Sequence, residues 1–150
     1  RFYLPMAFAE KDWIAGDSLL LIPGADLYTF GILTSAAHMA WMRAVCGRLK
    51  SDYRYSKDIV YNNFSWPEVG AAEKQAIAEA AQAVLTVRAA YPNRSLADLY
   101  DPAAMPPALQ AAHAELDRLV EAAYHAKWPS EYACVRDLLA HYQAMTSSEI

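Results

Sequence analysis

The chain has 150 residues, 55% of them hydrophobic and 20% charged, with a formal net charge of −4, enough for one ordinary soluble domain or two small lobes sharing a core. No apolar run approaches the roughly 20 residues needed to cross a bilayer, residues 1–10 lack a basic head followed by a long apolar stretch, and the first residue, Arg1, reads as part of something longer. The two cysteines, Cys46 and Cys134, stand far apart without a CxxC or Cys/His cluster, which argues against a disulfide framework or zinc site and fits a reducing cytoplasm.

Taken in chain order, residues 18–22 are a short apolar run closed by Pro23 and Gly24, as in a buried strand entering a turn. Asp26 has the character of an N-cap for a short helix over 27–33, and Thr34 or Ser35 caps a second helix reaching about Cys46, with Gly47 at its stop. On that helix His38, Trp41, Met42 and Val45 share one face at spacings of three and four, the pattern of a core stripe. Residues 48–55 mix polar and aromatic side chains without helical period. Residues 58–64, with Ile59, Val60, Tyr61 and Phe64, predict a strand ended by Ser65, Trp66 and Pro67.

Beyond Gly70 the composition turns alanine-rich and every periodic segment is helical. A helix over about 71–90 carries Ile77, Ala80, Ala81, Val84 and Leu85 on one stripe. Ser95 caps a short turn through Tyr100, Pro106 and Pro107 open a helix striped by Leu109, Ala112, Leu116, Val120 and Tyr124, and Ser130 caps a last one lined by Tyr132, Val135, Leu139 and Tyr142. The expected class is α+β: a mixed lobe over 1–67 followed by an all-α bundle over 68–150.

The charge is unevenly spread. Residues 1–67 carry seven basic and six acidic side chains, and residues 68–150 six and eleven, so any nucleic-acid face belongs to the first half. There Arg43, Arg48, Lys50, Arg54 and Lys57 stand against the single acid Asp52, with Tyr53 and Tyr55 interleaved. Arginine and lysine neutralise phosphates and release counterions, and tyrosine hydroxyls donate to phosphate oxygens; a solvated surface loop is written with the same residue types. In an extended segment Lys50 and Asp52, two apart, face one side, where lysine would donate to guanine O6 and N7 and aspartate accept from cytosine N4. A surface ion pair accounts for the same two residues.

Catalytic signatures are missing: no glycine-rich nucleotide loop after a strand, no GxSxG, no HExxH. The run Asn62-Asn63-Phe64-Ser65-Trp66 lacks the adjacent prolines of the amino-methyltransferase loop and reads as a strand end. The four histidines, His38, His113, His125 and His141, sit singly in helical patterns, as packed or surface histidines do. No catalytic, cofactor or metal residue is nominated.

The ordered segments Leu27-Tyr28-Thr29-Phe30-Gly31-Ile32-Leu33-Thr34-Ser35, His38-Met39-Ala40-Trp41-Met42-Arg43, Gly47-Arg48-Leu49-Lys50-Ser51-Asp52-Tyr53-Arg54-Tyr55-Ser56 and Tyr61-Asn62-Asn63-Phe64-Ser65-Trp66-Pro67 resemble the MmeI-like family of restriction-modification enzymes. Ser95-Leu96-Ala97-Asp98-Leu99-Tyr100-Asp101-Pro102, Met105-Pro106-Pro107 and Ala112-His113-Ala114-Glu115-Leu116-Asp117 resemble its C-terminal helical region, so the likeness covers essentially the whole chain. One departure is Ser65, where the family usually has proline between Phe64 and Trp66; it loosens a turn but removes no contact group.

The resemblance implies the end of a target-recognition domain and a helical tail from an adenine-N6 DNA methyltransferase, in some relatives fused to an endonuclease, acting in the bacterial cytoplasm. It implies double-stranded DNA and the methyltransferase domain of the same parent as partners, no membrane, and S-adenosylmethionine as cofactor of the parent but not of this fragment, which alone is not catalytic. It further implies that Lys50 and Asp52 contact a base pair, leaving Arg43, Arg48, Arg54, Tyr55 and Lys57 for phosphates. The competing expectation is a helical protein-protein interaction module working through its acidic tail.

Overall fold

Helix α1, Leu27–Thr34, begins where the Asp26 carboxylate accepts from the Thr29 amide at 2.8 Å. Ser35 ends it and starts α2, Ala36–Val45: its hydroxyl donates to the Ile32 carbonyl at 2.6 Å and accepts from the His38 amide at 3.4 Å. The computed structural model in which these elements are seen describes residues 3–14, 16, 19–49 and 52–148, with backbone alone at 47–49 and 52–54.

From the end of α2 the chain enters an antiparallel ribbon of β1, Gly47–Leu49, and β2, Asp52–Arg54, paired Gly47 to Arg54, Arg48 to Tyr53 and Leu49 to Asp52. Ser56 caps a single π-helical turn, Lys57–Tyr61. The long helices follow. In α3, Ala71–Ala89, the Glu73 carboxylate reaches back to the Gly70 amide at 3.0 Å; α4, Leu96–Leu99, has a Ser95/Asp98 capping box; α5, Pro107–Ala123, starts on its own proline; and Ser130 caps α6, Glu131–Ser147.

Helix α3 packs against both α1 and α5, while α2 packs against α6 and α5. The α1–α3 approach is close because Gly31 faces α3: a Cβ there would lie 2.9 Å from Ile77 Cγ2 and 3.2 Å from Ala81 Cβ. One continuous apolar cluster joins Ile32, Trp41, Val60 and Phe64 to Ile77, Val84, Leu109, Leu116 and Leu138. Helix α2 lies within it, buried at every position from Ala37 to Met42, so the expected one-sided stripe is instead a helix wrapped all round.

The α+β expectation is corrected: the described residues form a helical fold, and their only strand pairing is the solitary ribbon, too small to make a layer. Two expected strands are absent. Leu19, Leu20 and Leu21 are non-helical, unpaired and exposed, and Ser18 lies outside the described residues. Residues 58–64 coil instead of extending. Their β-branched and aromatic content favoured a strand, but the Ser56 cap and the bond from Trp41 Nε1 to the Val60 carbonyl, 3.0 Å, select a turn that buries Val60 and Phe64 and exposes Ile59.

Two stripes also shift. On α5 the buried set includes His113, with Ala112 only half-buried. On α6 the core takes Cys134 and Leu138, leaving Tyr132 75% and Leu139 39% exposed. Val135 and Tyr142 border both candidate faces of α6 and pack at the core margin, so periodicity had no means of choosing between them.

Candidate nucleic-acid interface

The ribbon leaves and rejoins the same helix. Its first stem is the end of α2, where the Cys46 amide donates to the Met42 carbonyl at 2.9 Å. Its second stem is Tyr55, whose half-buried ring meets the His38 ring at a centroid distance of 5.8 Å and whose hydroxyl lies 2.9 Å from His38 Nε2. His38 is fully buried, edge-on to Phe64 at 4.6 Å. Burial lowers its pKa to about 3, so the imidazole is neutral, and burial raises that of the Tyr55 phenol. Among the described residues His38 Nδ1 has no hydrogen-bond partner.

Helix α2 is in turn held from the acidic half of the chain. Asp117 of α5 accepts from the Ala36 amide at 2.8 Å, placing a carboxylate on the N-terminus of α2; burial raises its pKa to about 6, against the lowering effect of that bond. Arg43, in the last turn of α2, makes a two-point pair with Glu131 of α6, Nε to Oε1 at 2.8 Å and Nη2 to Oε2 at 3.0 Å. The Tyr124 hydroxyl donates to the buried Ser65 carbonyl.

The nominated residues therefore fall into four situations. Lys50 lies outside the described residues, and Arg48, Asp52 and Arg54 are described by backbone only, all three in the ribbon. Leu49 pairs with Asp52 in the ribbon, and Lys50 and Ser51 lie outside the described residues. Lys57 is exposed at the start of the π turn, with no ion-pair partner among the described residues. Arg43 and Tyr55, nominated for phosphates, point instead at Glu131 and His38.

Reading the sequence alone passed over His38, Asp117 and Glu131. His38 did carry a signal: a histidine on the stripe of Trp41 and Met42 must find a partner if that stripe is buried. Nothing local could have paired Arg43 with a glutamate 88 positions away. Among the described residues no three His, Cys, Asp or Glu side chains converge as a metal site would require, and no helix is long and apolar enough to cross a membrane.

Two family models divide the chain between them, the ribbon and α2 falling in the first and α3 to α6 in the second. The MmeI target recognition domain matches residues 1–68 and the MmeI C-terminal domain residues 69–149. DNA methyltransferase A of Bacillus subtilis (strain 168) is 44% identical over 147 residues, 97% of this chain and 17% of that protein. The solved structure of the Type IIL restriction-modification enzyme MmeI in complex with DNA matches with a TM-score of 0.82 and 49% identity, over 84% of this chain and 17% of that one. The chain belongs to the MmeI-like family of restriction-modification DNA methyltransferases. It spans 17% of the length of the relatives it matches.

Proposed function

We propose that residues 1–67 close a DNA target-recognition domain and residues 68–150 form the helical domain bracing it, within a bacterial adenine-N6 DNA methyltransferase that uses S-adenosylmethionine in the cytoplasm. The observation that carries the reading is the ribbon on α2, which holds the family segment Gly47-Arg48-Leu49 and Asp52-Tyr53-Arg54 in two paired strands. Two-stranded ribbons fit the major groove of DNA. In this reading Lys50 and Asp52 contact one G·C base pair, and Arg48, Arg54 and Lys57 engage phosphates, with Arg43 and Tyr55 holding the ribbon's base.

The residues described do not suit a methyl-donor site. That chemistry needs a glycine-rich turn leading from a strand into a helix, and the Tyr55-Ser56 link from β2 to the Lys57–Tyr61 turn holds no glycine. The donor and the reacting adenine are assigned to the methyltransferase domain of the same protein, outside this chain. Tyr132 and Leu139, exposed on α6, are a surface on which that domain can rest.

The test is to sequence the methylated positions in DNA from cells expressing the full-length protein, wild type against a Lys50→Glu, Asp52→Arg double variant. The expected outcome is a methylated motif in which one G·C position changes. An unchanged motif overturns base reading by this pair, and the absence of any methylated base favours a helical interaction module instead.

A further inference from the structure

We infer that His38 and Tyr55 are a positioning pair that fixes the orientation of the DNA-reading ribbon; the inference rests on the reading of Gly47–Arg54 as that ribbon.

A free two-stranded ribbon is marginally stable in water, and this one has three pairs of facing residues among those described. Its direction must therefore be set at its base. One stem continues directly from α2. The other is tied back to α2 by Tyr55, 17 residues after His38, through the 2.9 Å bond to His38 Nε2 and the ring contact. One residue later Ser56 caps the π turn, whose Val60 carbonyl takes the Trp41 indole N–H. His38 and Trp41, three apart on α2, thus hold both segments that follow the ribbon, and α2 is itself clamped by Asp117 and by Glu131.

The chemistry of the pair is costly for a purely structural contact. His38 is fully buried, its Nδ1 finds no partner among the described residues, and a leucine or phenylalanine among Phe64, Trp41 and Met42 would avoid that desolvation. What an apolar pair lacks is direction, because a hydrogen bond fixes where the phenol ends to a few tenths of an ångström and a greasy contact does not. The consequence for function is discrimination: a ribbon free to tilt keeps its phosphate contacts and loses the geometry that tells one base pair from another.

The experiment uses the full-length protein and scores methylation of the cognate motif against motifs changed at the single base pair assigned to Lys50 and Asp52. Tyr55→Phe and His38→Leu are each expected to reduce discrimination at that pair about ten-fold, equivalent to ~1.4 kcal/mol, with KM for DNA raised and kcat kept. His38→Gln, whose amide nitrogen can take the place of Nε2, restores discrimination. The Tyr55→Phe, His38→Leu double variant is no worse than either single one, because both remove the same bond. If His38→Leu and Tyr55→Phe discriminate as the wild type does while Lys50→Glu, Asp52→Arg alters the motif, the positioning role is overturned and the base-reading proposal stands. If that last variant changes nothing either, the ribbon itself is not the reader and the inference falls with it. Should Tyr55→Phe fail to fold, the His38→Leu and His38→Gln pair decides alone.

Discussion

Two buried histidine–tyrosine pairs, one in each half of the chain, share the same bond and do different things. His38 meets Tyr55 at 2.9 Å and His113 meets Tyr100 at 2.5 Å, each through Nε2, and among the described residues neither Nδ1 has a partner. The difference lies behind the tyrosine. Tyr100 also accepts from buried Arg88, Nε at 2.9 Å and Nη2 at 2.5 Å, so its own proton goes to His113 and the neutral ring carries its hydrogen on Nδ1. Arg88 further donates to the Met6 carbonyl at 2.6 Å and lies over the Phe30 and Tyr100 rings. That network ties α3, α5 and the N-terminal segment into one core; Tyr55 ties down only the ribbon. One local motif is an internal lock in one region and the root of an exposed arm in the other.

The largest effect is expected at the lock. Arg88→Ala removes a buried cation together with its packing and strands the Tyr100 and Met6 oxygens, for a loss of ~3–5 kcal/mol in denaturant melts; a loss below ~1 kcal/mol would show that the lock contributes little. Tyr100→Phe leaves Arg88 buried without its main acceptor and is expected to cost ~2 kcal/mol, against ~1 kcal/mol for Tyr55→Phe. Equal costs would erase the distinction between the two pairs.

Acid sharpens the comparison from another side. His38 is held neutral down to about 3 by burial, and His113 to about 4 by burial and by the Arg88 charge. Between pH 6.5 and about 4 the unfolded chain therefore binds two protons that the folded chain refuses, and stability falls as pH falls. Asp117 works the other way, its pKa raised by burial to about 6, so the folded state gains a proton first between pH 6 and 4 and offsets one imidazole. The net slope expected is ~1.4 kcal/mol per pH unit near pH 5, read from melts across pH 4–7. Replacing His113 with glutamine should flatten it.

The smallest effect lies outside both pairs. His125 ends α5 with φ of +53°, a conformation that is strained for a residue bearing a Cβ. His125→Gly is expected to raise stability by ~0.5 kcal/mol; a fall would mean that the imidazole makes a contact outweighing the strain.

Much of this was legible along the chain because it is local. Asp26, Ser35, Ser95 and Ser130 occupy the caps expected of them, and of the expected α3 stripe Ile77, Ala80, Ala81 and Val84 are buried while Leu85 is half-buried. Caps and periodicity depend on neighbours three or four positions away. Residues 58–64 show where that stops: their composition suits a strand, but among the described residues no strand pairs with them and Trp41 bonds to Val60.

By itself the sequence determined the α-helices, their caps and the family, since all three are written in residue order and short spacing. Only the tertiary structure decided that the architecture is helical, that α6 turns Cys134 and Leu138 inward, and that Arg43 and Tyr55 face Glu131 and His38. Those outcomes depend on which surfaces meet across 17 to 88 residues of chain. A buried polar group takes whatever partner the packing brings to it, because remaining unpaired costs more than the bond returns.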